Sequence, residues 1–250
     1  MRISIVTVAY NSSATIKTTL DSVAAQCYPA LDYIVIDGGS TDTTLDIVRE
    51  RSELVSLLVS EPDRGIYDAM NKGVQRATGE IIGILNSDDF YLHSHVLQEV
   101  ADAFAADPAL EVLMGDVDFV SDEDLDKPVR TYRATGFRPW MLRLGLMPPH
   151  PAVFVRKSAY ERIGLYKIGY RIAADFDFLV RLLLIGGAKY QVSGAHWVRM
   201  RTGGASTAGW RSNLISTREM LRSLRENDVF SCTPLLLLRL PIKFLRQVLL

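Results

Sequence analysis

The feature that most constrains the fold of this chain is an alternation of apolar and amphipathic segments over about its first hundred residues. Four apolar, β-branched runs have the length and composition of buried strands: 3–9, 33–36, 54–59 and 81–85. Four further segments have helical spacing of apolar residues: 16–27, 45–51, 66–77 and 96–104. This β-α-β-α order predicts an α/β fold with an open, largely parallel sheet and helices on both faces.

Polar clusters follow three of the predicted strands at the point where each strand ends. They are Tyr10-Asn11, Asp37-Gly38-Gly39-Ser40 and Ser87-Asp88-Asp89. The carboxyl ends of parallel strands meet at one edge of the sheet, which is where open α/β sheets bind their ligands. We therefore expect one ligand site that is assembled from all three clusters.

Two adjacent carboxylates, Asp88 and Asp89, end the fourth predicted strand. Like charges raise each other's pKa unless a cation or solvent compensates them. Mn²⁺ or Mg²⁺ would supply that compensation, because these ions prefer carboxylate and phosphate oxygens. A metal on a diphosphate would also stabilise the charge on a departing nucleotide. Both residues are therefore candidate metal ligands, and a solvated turn that caps the next helix is the alternative.

Four motifs together resemble the family 2 glycosyltransferases of the GT-A fold. They are 4–11 in the opening strand, 36–42, 63–73 with 77–80, and 86–89, which matches the DXD-type motif of the family. The motifs cover roughly residues 3–90, and the match is thinner at 174–177 and Arg181. The resemblance implies a GT-A fold and an inverting transfer of a sugar from a nucleotide-diphospho-sugar to a hydroxyl group.

The resemblance also implies roles in donor binding. Tyr10 would lie against the nucleobase, Asp88 would contact the ribose or the metal, and Asp89 would ligate the metal. The other donor-binding candidates come from the same motifs: Thr7, Ala9, Asn11, Asp37, Gly38, Arg64, Asn71 and Ser87. Arg64 either holds diphosphate oxygens or pairs with a neighbouring acid. Many family members carry a second acid where this chain has Gly38, so the donor base stays open.

Asp175 is the candidate catalytic base. A carboxylate there would take the proton from the acceptor hydroxyl as that hydroxyl attacks the anomeric carbon. The family's base lies at the matching place, before the apolar helix predicted over 176–185. Many family members have Glu where Ala174 stands, and Asp is also a common N-cap. A capping role for Asp175 is therefore the alternative.

Three further residues are candidate acceptor contacts. His150 lies in a rigid, proline-rich loop and either binds the acceptor or is structural. Asp177 either contacts the acceptor, caps its helix, or orients Arg181 four residues later. Trp140 belongs to an apolar stretch that either forms a second membrane contact near the acceptor side or lies in the core.

Basic charge is concentrated at the C-terminal end. Formal charge is −7 over 1–196 and +6 over 197–250. The leucine-rich segment 234–250 carries Arg239, Lys243 and Arg246 on one helical stripe, which is typical of an amphipathic helix on an anionic membrane surface. Packing on the domain, or on a second subunit of a homodimer, is the alternative.

The resemblance to bacterial cell-surface polysaccharide enzymes implies a lipid-linked or saccharide acceptor. Cys27 and Cys232 form no disulfide framework, which fits a reducing cytoplasm. With the tail pattern, we therefore expect a cytoplasmic protein that is peripheral on the inner face of the bacterial plasma membrane. We expect one GT-A domain over 1–230, followed by a tail at 231–250. Its nucleotide-sugar-binding half is 1–110, and its acceptor-binding half, with a solvated acidic turn at 122–126, is 111–230.

Two other functions stay open, namely a non-catalytic nucleotide-sugar-binding partner subunit and a sugar nucleotidyltransferase. This chain lacks the Gly-rich loop with Lys or Arg that sugar nucleotidyltransferases carry after the first strand, which argues against the second function. No G-x-G-x-x-G follows a strand, which argues against a dinucleotide oxidoreductase. Only the basic tail favours nucleic acid as a partner, and we expect none.

Overall fold

The computed structural model of the protein describes residues 1–203 and 210–242. Its strands are β1 (Ile3–Ala9), β2 (Leu31–Asp37), β3 (Leu57–Ser60), β4 (Ile81–Ile84), β5 (Asp89–Tyr91), β6 (Val112–Ser121), β7 (Asp124–Tyr132), β8 (Val153–Arg156) and β9 (Tyr190–Arg201). Its α-helices are α1 (Ile16–Ala24), α2 (Thr44–Arg49), α3 (Ile66–Arg76), α4 (Val96–Ala106), α5 (Lys157–Ile163), α6 (Ala174–Leu179), α7 (Trp210–Glu226) and α8 (Thr233–Leu237). Short 3₁₀ helices span Pro139–Leu144 and His150–Ala152, and a π-helix spans Val180–Ile185.

Within the described residues, nine strands form one sheet in the order β3-β2-β1-β4-β8-β6-β9-β5, and β7 also pairs with β6. The strands β3, β2, β1 and β4 run parallel to one another. Beyond β4 the sheet is mixed, because β8 runs antiparallel to both β4 and β6 while β9 is parallel to β6. One sheet thus runs through both halves of the predicted domain.

Helices cover both faces of this sheet, as the sequence predicts. All seven residues of β1 are buried, which is typical of a central parallel strand. Ile5 packs with α1 and α4 in one core, whereas Val6 packs with α3 and α6 in the other. The protein is therefore an α/β structure with one core on each side of the sheet.

The structure differs from the predicted segments in three places. The strand β3 begins at Leu57, because the N–H groups of Leu54 and Val55 bond Arg51 O in the turn after α2. The acidic segment predicted as a solvated turn contains a tight turn and then enters β7 at Asp124. The predicted helix 176–185 divides into α6 and the π-helix, where Gly186 N–H bonds Arg181 O five residues back.

The described part of the C-terminal tail packs on the domain. Leu236 is fully buried, and Arg239 is only 2% exposed. The predicted basic stripe therefore does not include Arg239 as an exposed charge, while Lys243 and Arg246 lie outside the described residues. Among the helices that the structure describes, none has the length and apolarity required to cross a membrane.

Close packing of α3 on β1 depends on Gly73, where an added Cβ would stand 2.2 Å from Val6 Cγ1. In an open helix, Gly→Ala stabilises by about 1 kcal/mol. Here we expect the clash to dominate, so that Gly73→Ala lowers the free energy of unfolding by about 1–3 kcal/mol. Urea denaturation monitored by circular dichroism measures this change.

The double variant with Val6→Ala is the control, because it opens the space that the new methyl group needs. It should be more stable than the two single losses added together predict. A stability gain in Gly73→Ala alone would contradict the close approach of α3 to β1.

Candidate functional site

A large cavity opens at the carboxyl ends of β1 and β4. Its volume is about 1480 Å³, and its walls include α3, β6, β7, the loop before β8, the start of α6, β9 and α7. Seven of the predicted site residues line it: Ala9, Tyr10, Asn11, Ser87, Asp88, His150 and Asp175. The fold thus brings donor-side and acceptor-side candidates, which lie far apart in the sequence, around one space.

The segment after β1 presents an open aromatic ring to this cavity. Tyr10 is 63% exposed, although the strand before it is buried. Asn11 has a φ of 48°, in the left-handed region that Asn tolerates, and its Oδ1 accepts the Thr41 N–H at 2.9 Å. This turn is therefore fixed against the segment after β2, and the Tyr10 ring is accessible to a planar ligand such as a nucleobase.

Asp63 is a cavity residue that the sequence analysis did not single out, although it lies in a quoted motif. A Cβ added to Gly38 would stand 2.3 Å from Asp63 Oδ2 and 3.5 Å from Tyr10 Cδ2. The Asp63 carboxylate therefore occupies the space that a side chain at position 38 would take, beside the Tyr10 ring. Its Oδ1 accepts the Gly65 N–H at 2.8 Å, and its Oδ2 accepts no hydrogen bond within the described residues.

The adjacent acids after β4 have different surroundings. Asp88 is part-buried and lines the cavity, whereas Asp89 is fully buried at the start of β5. Asp89 Oδ2 accepts the Asn86 side-chain N–H at 3.0 Å, but Asp89 Oδ1 has no partner among the described residues. Burial raises the pKa of both carboxyl groups, and the charge of Asp88 raises that of Asp89 further.

These two residues fit a divalent cation in one specific way. The unpartnered Asp89 oxygen and the like charge of Asp88 are features that a bound cation would relieve. Within the described residues, no group of three or more His, Cys, Asp or Glu side chains is placed to hold a metal ion. Mg²⁺ commonly binds through one or two carboxylates together with substrate phosphates, which is the arrangement that this pair allows.

Asp175 lies in the first turn of α6, and the N-cap position belongs to Ala173, so Asp175 is not the cap. Its Oδ1 accepts the Phe176 N–H at 2.8 Å and lies 3.2 Å from the Tyr67 hydroxyl of α3. Burial raises the pKa of Asp175, and the nearby His150 together with these hydrogen bonds opposes that rise. The arrangement orients a carboxylate at the cavity wall, as a general base requires.

His150 stands near Asp175 at the start of a 3₁₀ helix. Its Nε2 lies 2.9 Å from the Tyr166 hydroxyl. Burial lowers the pKa of His150, and the charge of Asp175 acts in the opposite direction. The loop therefore places an imidazole beside the candidate base within the same cavity.

Eight other predicted residues lie outside the cavity lining: Thr7, Asp37, Gly38, Arg64, Asn71, Asp89, Trp140 and Asp177. Asp37 is buried, and its carboxylate accepts the N–H groups of Gly39 and Ser40, both at 3.0 Å. Asp177 is fully buried and accepts hydrogen bonds from Arg181 and Ser223. Both carboxylates therefore fix the backbone and helices behind the site.

The positions of the remaining residues are also explained by their partners. Asn71 exchanges two hydrogen bonds with the backbone of Tyr166, at 2.8 and 2.9 Å. Arg64 pairs with Asp68 at 3.0 Å, which is the ion-pair alternative raised by the sequence. Thr7 accepts the Tyr33 hydroxyl at 3.0 Å inside the core, and Trp140 is 54% exposed at the surface.

Two cavity residues could not be found from sequence spacing. Asp116 of β6 and His196 of β9 both line the cavity. His196 Nδ1 lies 3.0 Å from Asp118 Oδ1, and Asp116 Oδ1 accepts the Ala134 N–H at 2.7 Å. Only the parallel pairing of β6 with β9, in which Asp116 faces His196, brings these side chains together.

Comparison with known proteins identifies the family. The family model described as Glycosyl transferase family 2 matches residues 4–164. An uncharacterised glycosyltransferase of Mycobacterium tuberculosis is 32% identical over 188 residues, which cover 73% of this chain and 69% of that protein. A PGL/p-HBAD biosynthesis glycosyltransferase of Mycobacterium bovis is also 32% identical over 188 residues, covering 71% and 68%.

Solved structures identify the fold. S. aureus TarS in complex with UDP-GlcNAc has a TM-score of 0.68 and 19% identity, covering 90% of this chain and 66% of that one. The mannosyltransferase PcManGT of Pyrobaculum calidifontis, in complex with GDP-Man and Mn²⁺, has a TM-score of 0.64 and 22% identity, covering 88% and 64%. This chain spans slightly less than two thirds of either structure. The protein therefore belongs to glycosyltransferase family 2 and is a glycosyltransferase with the GT-A fold.

Proposed function

We propose that this protein is a metal-dependent, inverting glycosyltransferase that moves a sugar from a nucleotide-diphospho-sugar to a hydroxyl of a lipid-linked saccharide. The observation that carries the proposal is that Tyr10, Asp88 and Asp175 line one cavity. The same bound substrates would then face an aromatic surface for a nucleobase, a carboxylate for a metal–diphosphate group and an oriented general base.

The proposed reaction is a single displacement. The acceptor oxygen attacks the anomeric carbon, its proton passes to an Asp175 oxygen, and the bond from that carbon to the diphosphate breaks. The Tyr67 hydroxyl and the Phe176 N–H hold the carboxylate in place for this transfer. Attack from the side opposite the departing nucleoside diphosphate inverts the anomeric configuration.

Asp88 and Asp89 would hold the cation, which stabilises the charge on the departing diphosphate when it is bound. Asp88 presents its carboxylate at the cavity wall, and Asp89 contributes the oxygen that has no partner among the described residues. Asn86 fixes the other Asp89 oxygen at 3.0 Å. This hydrogen bond would leave Asp89 Oδ1 to bind the cation.

Asp63 supports a proposal for the donor base. An ionised carboxylate only accepts hydrogen bonds, and Asp63 Oδ2 lies beside the Tyr10 ring on which the base would stack. Uracil, thymine and guanine carry a ring N–H on the edge that such a carboxylate would meet. Adenine and cytosine present a ring lone pair there. The ring N–H therefore favours a uridine, thymidine or guanosine diphospho-sugar over donors with the other two bases, whose amino groups are the only donors on this edge.

Exposed apolar side chains support attachment to a membrane surface. Leu237, Leu238 and Leu240 are 42–47% exposed, and Trp140 lies on the 3₁₀ helix against which α8 packs. An apolar surface of this kind binds at the interface of a lipid bilayer. A lipid-linked acceptor would be presented at the same surface, and the cytoplasmic leaflet would supply it.

Ligand-dependent stability tests the donor and metal assignments. With Mn²⁺, we expect UDP, dTDP or GDP to raise the melting temperature, and CDP and ADP to leave it unchanged. At a nucleotide concentration 100-fold above Kd, the free energy of unfolding rises by about 2.7 kcal/mol. We expect EDTA and Asp89→Asn each to abolish the gain.

The apo form of Asp89→Asn is the control for folding. Asn has nearly the same shape and removes a buried charge, so its melting temperature without ligand should be no lower than that of the wild type. Undiminished stabilisation by nucleotide and Mn²⁺ in this variant would refute Asp89 as a metal ligand.

Substitution of the base tests catalysis separately from binding. Asp175→Asn should reduce kcat by about 10²–10⁴-fold, because it removes proton abstraction and keeps the shape of the side chain. Nucleotide binding, measured by the same melting assay, should be unchanged. Wild-type turnover in Asp175→Asn would reject Asp175 as the base. If the wild-type protein binds the donor but transfers no sugar, the result would instead favour a non-catalytic subunit.

The pH profile gives an independent check on this carboxylate. Burial raises the pKa of Asp175, so the acid limb of kcat/KM should lie above the ordinary aspartate value of about 3.9. The Tyr67 hydroxyl lowers that pKa, so Tyr67→Phe should move the limb to higher pH. A limb that does not move would contradict the contact between Tyr67 and the base.

Vesicle sedimentation tests the membrane surface. Leu237→Ser with Leu238→Ser should weaken binding to anionic vesicles more than tenfold, because each buried leucine contributes about 1.5–3 kcal/mol. Leu57→Thr, which changes a 37% exposed leucine on the edge strand β3, is the matched control and should bind normally. Equal binding by all three proteins would refute the assignment of α8 to the membrane.

A further inference from the structure

The cavity wall contributed by the second half of the chain carries arginines without an acidic partner. Arg130 and Arg239 both line the cavity, and within the described residues neither forms an ion pair with an Asp or Glu. Arg199 and Arg201, by contrast, pair with Asp126 and Asp122 at 2.7 and 2.5 Å. The stretches 204–209 and 243–250 contain no Asp or Glu, so they add no side-chain carboxylate.

Arg239 is a buried cation that only neutral groups hold in place. Its side chain donates to Thr217 Oγ1 at 2.9 Å and to Ser216 Oγ at 3.3 Å, and its exposure is 2%. Burial lowers its pKa, which reflects the cost of removing the charge from water. The hydrogen-bond acceptors Ser216 and Thr217 on α7 thus fix the direction of the guanidinium group without neutralising its charge.

Arg130 is oriented in a different way. Its guanidinium carbon lies 3.9 Å from the centroid of the Phe119 ring, a cation–π contact that leaves the N–H donors without an anion. Burial also lowers its pKa. Arg130, Arg239 and Tyr132 all line the same cavity, so the two positive groups face one space. Planar guanidinium groups of this kind bind phosphate oxygens in pairs.

Apolar side chains continue the wall beside these arginines. Met220 Sδ lies 3.1 Å from an Arg239 nitrogen, and the Tyr132 hydroxyl bonds Met147 O at 2.6 Å. The same cavity is lined by Phe137, Met141, Leu146, Met147 and Met220. A ligand at this end therefore meets a positive pair and a hydrocarbon surface together, whereas Asp63 and Asp88 line the donor side.

We propose that Arg130 and Arg239 form an anion subsite for a phosphate group on the acceptor. The apolar chain of that acceptor would lie along the cavity wall formed by Phe137, Met141, Leu146, Met147 and Met220. The inference rests on the proposed function only in assigning this end of the cavity to the acceptor. It narrows the acceptor to a phosphate ester whose charge is recognised separately from the donor diphosphate.

Calorimetric titration of the full chain tests the subsite without turnover. The probes are a ten-carbon prenyl phosphate, the matching prenyl alcohol and glycerol 3-phosphate, each with the donor site saturated by the nucleoside diphosphate that binds. The prenyl phosphate should bind at least tenfold more tightly than the alcohol. Arg130→Gln and Arg239→Gln should each weaken it about tenfold to a hundredfold, since hydrogen bonds to charged groups have that effect.

Arg49→Gln is the matched control, because Arg49 is an exposed arginine on α2 that pairs with Asp46. It should bind the prenyl phosphate normally, and all variants should bind the nucleoside diphosphate within twofold of the wild type. If Arg239→Gln does not fold, Arg130→Gln and the charge-retaining Arg130→Lys decide the matter, with partial binding expected only in the lysine variant.

Wild-type affinity for the prenyl phosphate in the folded arginine variants would overturn the proposal. Displacement of the prenyl phosphate by nucleoside diphosphate would overturn it too, because the anion would then occupy the donor site. Glycerol 3-phosphate binding as tightly as the prenyl phosphate would overturn the apolar-chain assignment and leave a polar phosphate acceptor. Failure of every nucleoside diphosphate to bind would count against the proposed function instead.

Discussion

The site depends on the antiparallel pairing of β8 with β4. In its register Ile81 faces Arg156 and Gly83 faces Phe154, so β8 begins where β4 ends. The loop that carries His150 comes directly before β8 and is therefore placed at the carboxyl edge of the parallel strands. A parallel β8 would begin at the opposite edge, and His150 would be removed from Asp88.

Contacts between α3 and the second half of the chain then fix Asp175, the proposed base, relative to the strand ends that carry Tyr10 and Asp88. The Asn71 side chain holds the Tyr166 backbone with two hydrogen bonds, and the Tyr67 hydroxyl bonds Ile172 O at 2.5 Å. Both residues lie on the helix that Gly73 allows to approach β1 closely. A shift of α3 would therefore move the Asp175 carboxylate together with the cavity wall, and small displacements of the proposed reacting groups would be costly in rate.

The sequence predicted the fold and the cavity residues at the strand ends better than the cavity residues that only sheet pairing brings together, for a physical reason. Strand ends and helical spacing are local patterns, so the positions of Tyr10, Asn11, Ser87 and Asp88 at one edge followed directly. Asp116 and His196 meet only through the pairing of β6 with β9, which no local spacing encodes. The strand β7 was missed as well, because its exposed residues do not alternate cleanly between apolar and polar.

Residues 233–242 show how the same limitation applies to charge. Helical spacing predicts Arg239 on an exposed basic stripe, yet the structure buries Arg239 with Leu236 and exposes Leu237, Leu238 and Leu240. Hydrogen-bond acceptors on α7 offset the burial of the cation, and these are invisible in the sequence of the tail itself. Because one short segment both lines the cavity and exposes an apolar surface, docking of that surface would act directly on Arg239. Under the proposed function, attachment of the protein to lipid would therefore change the shape of the acceptor end of the cavity.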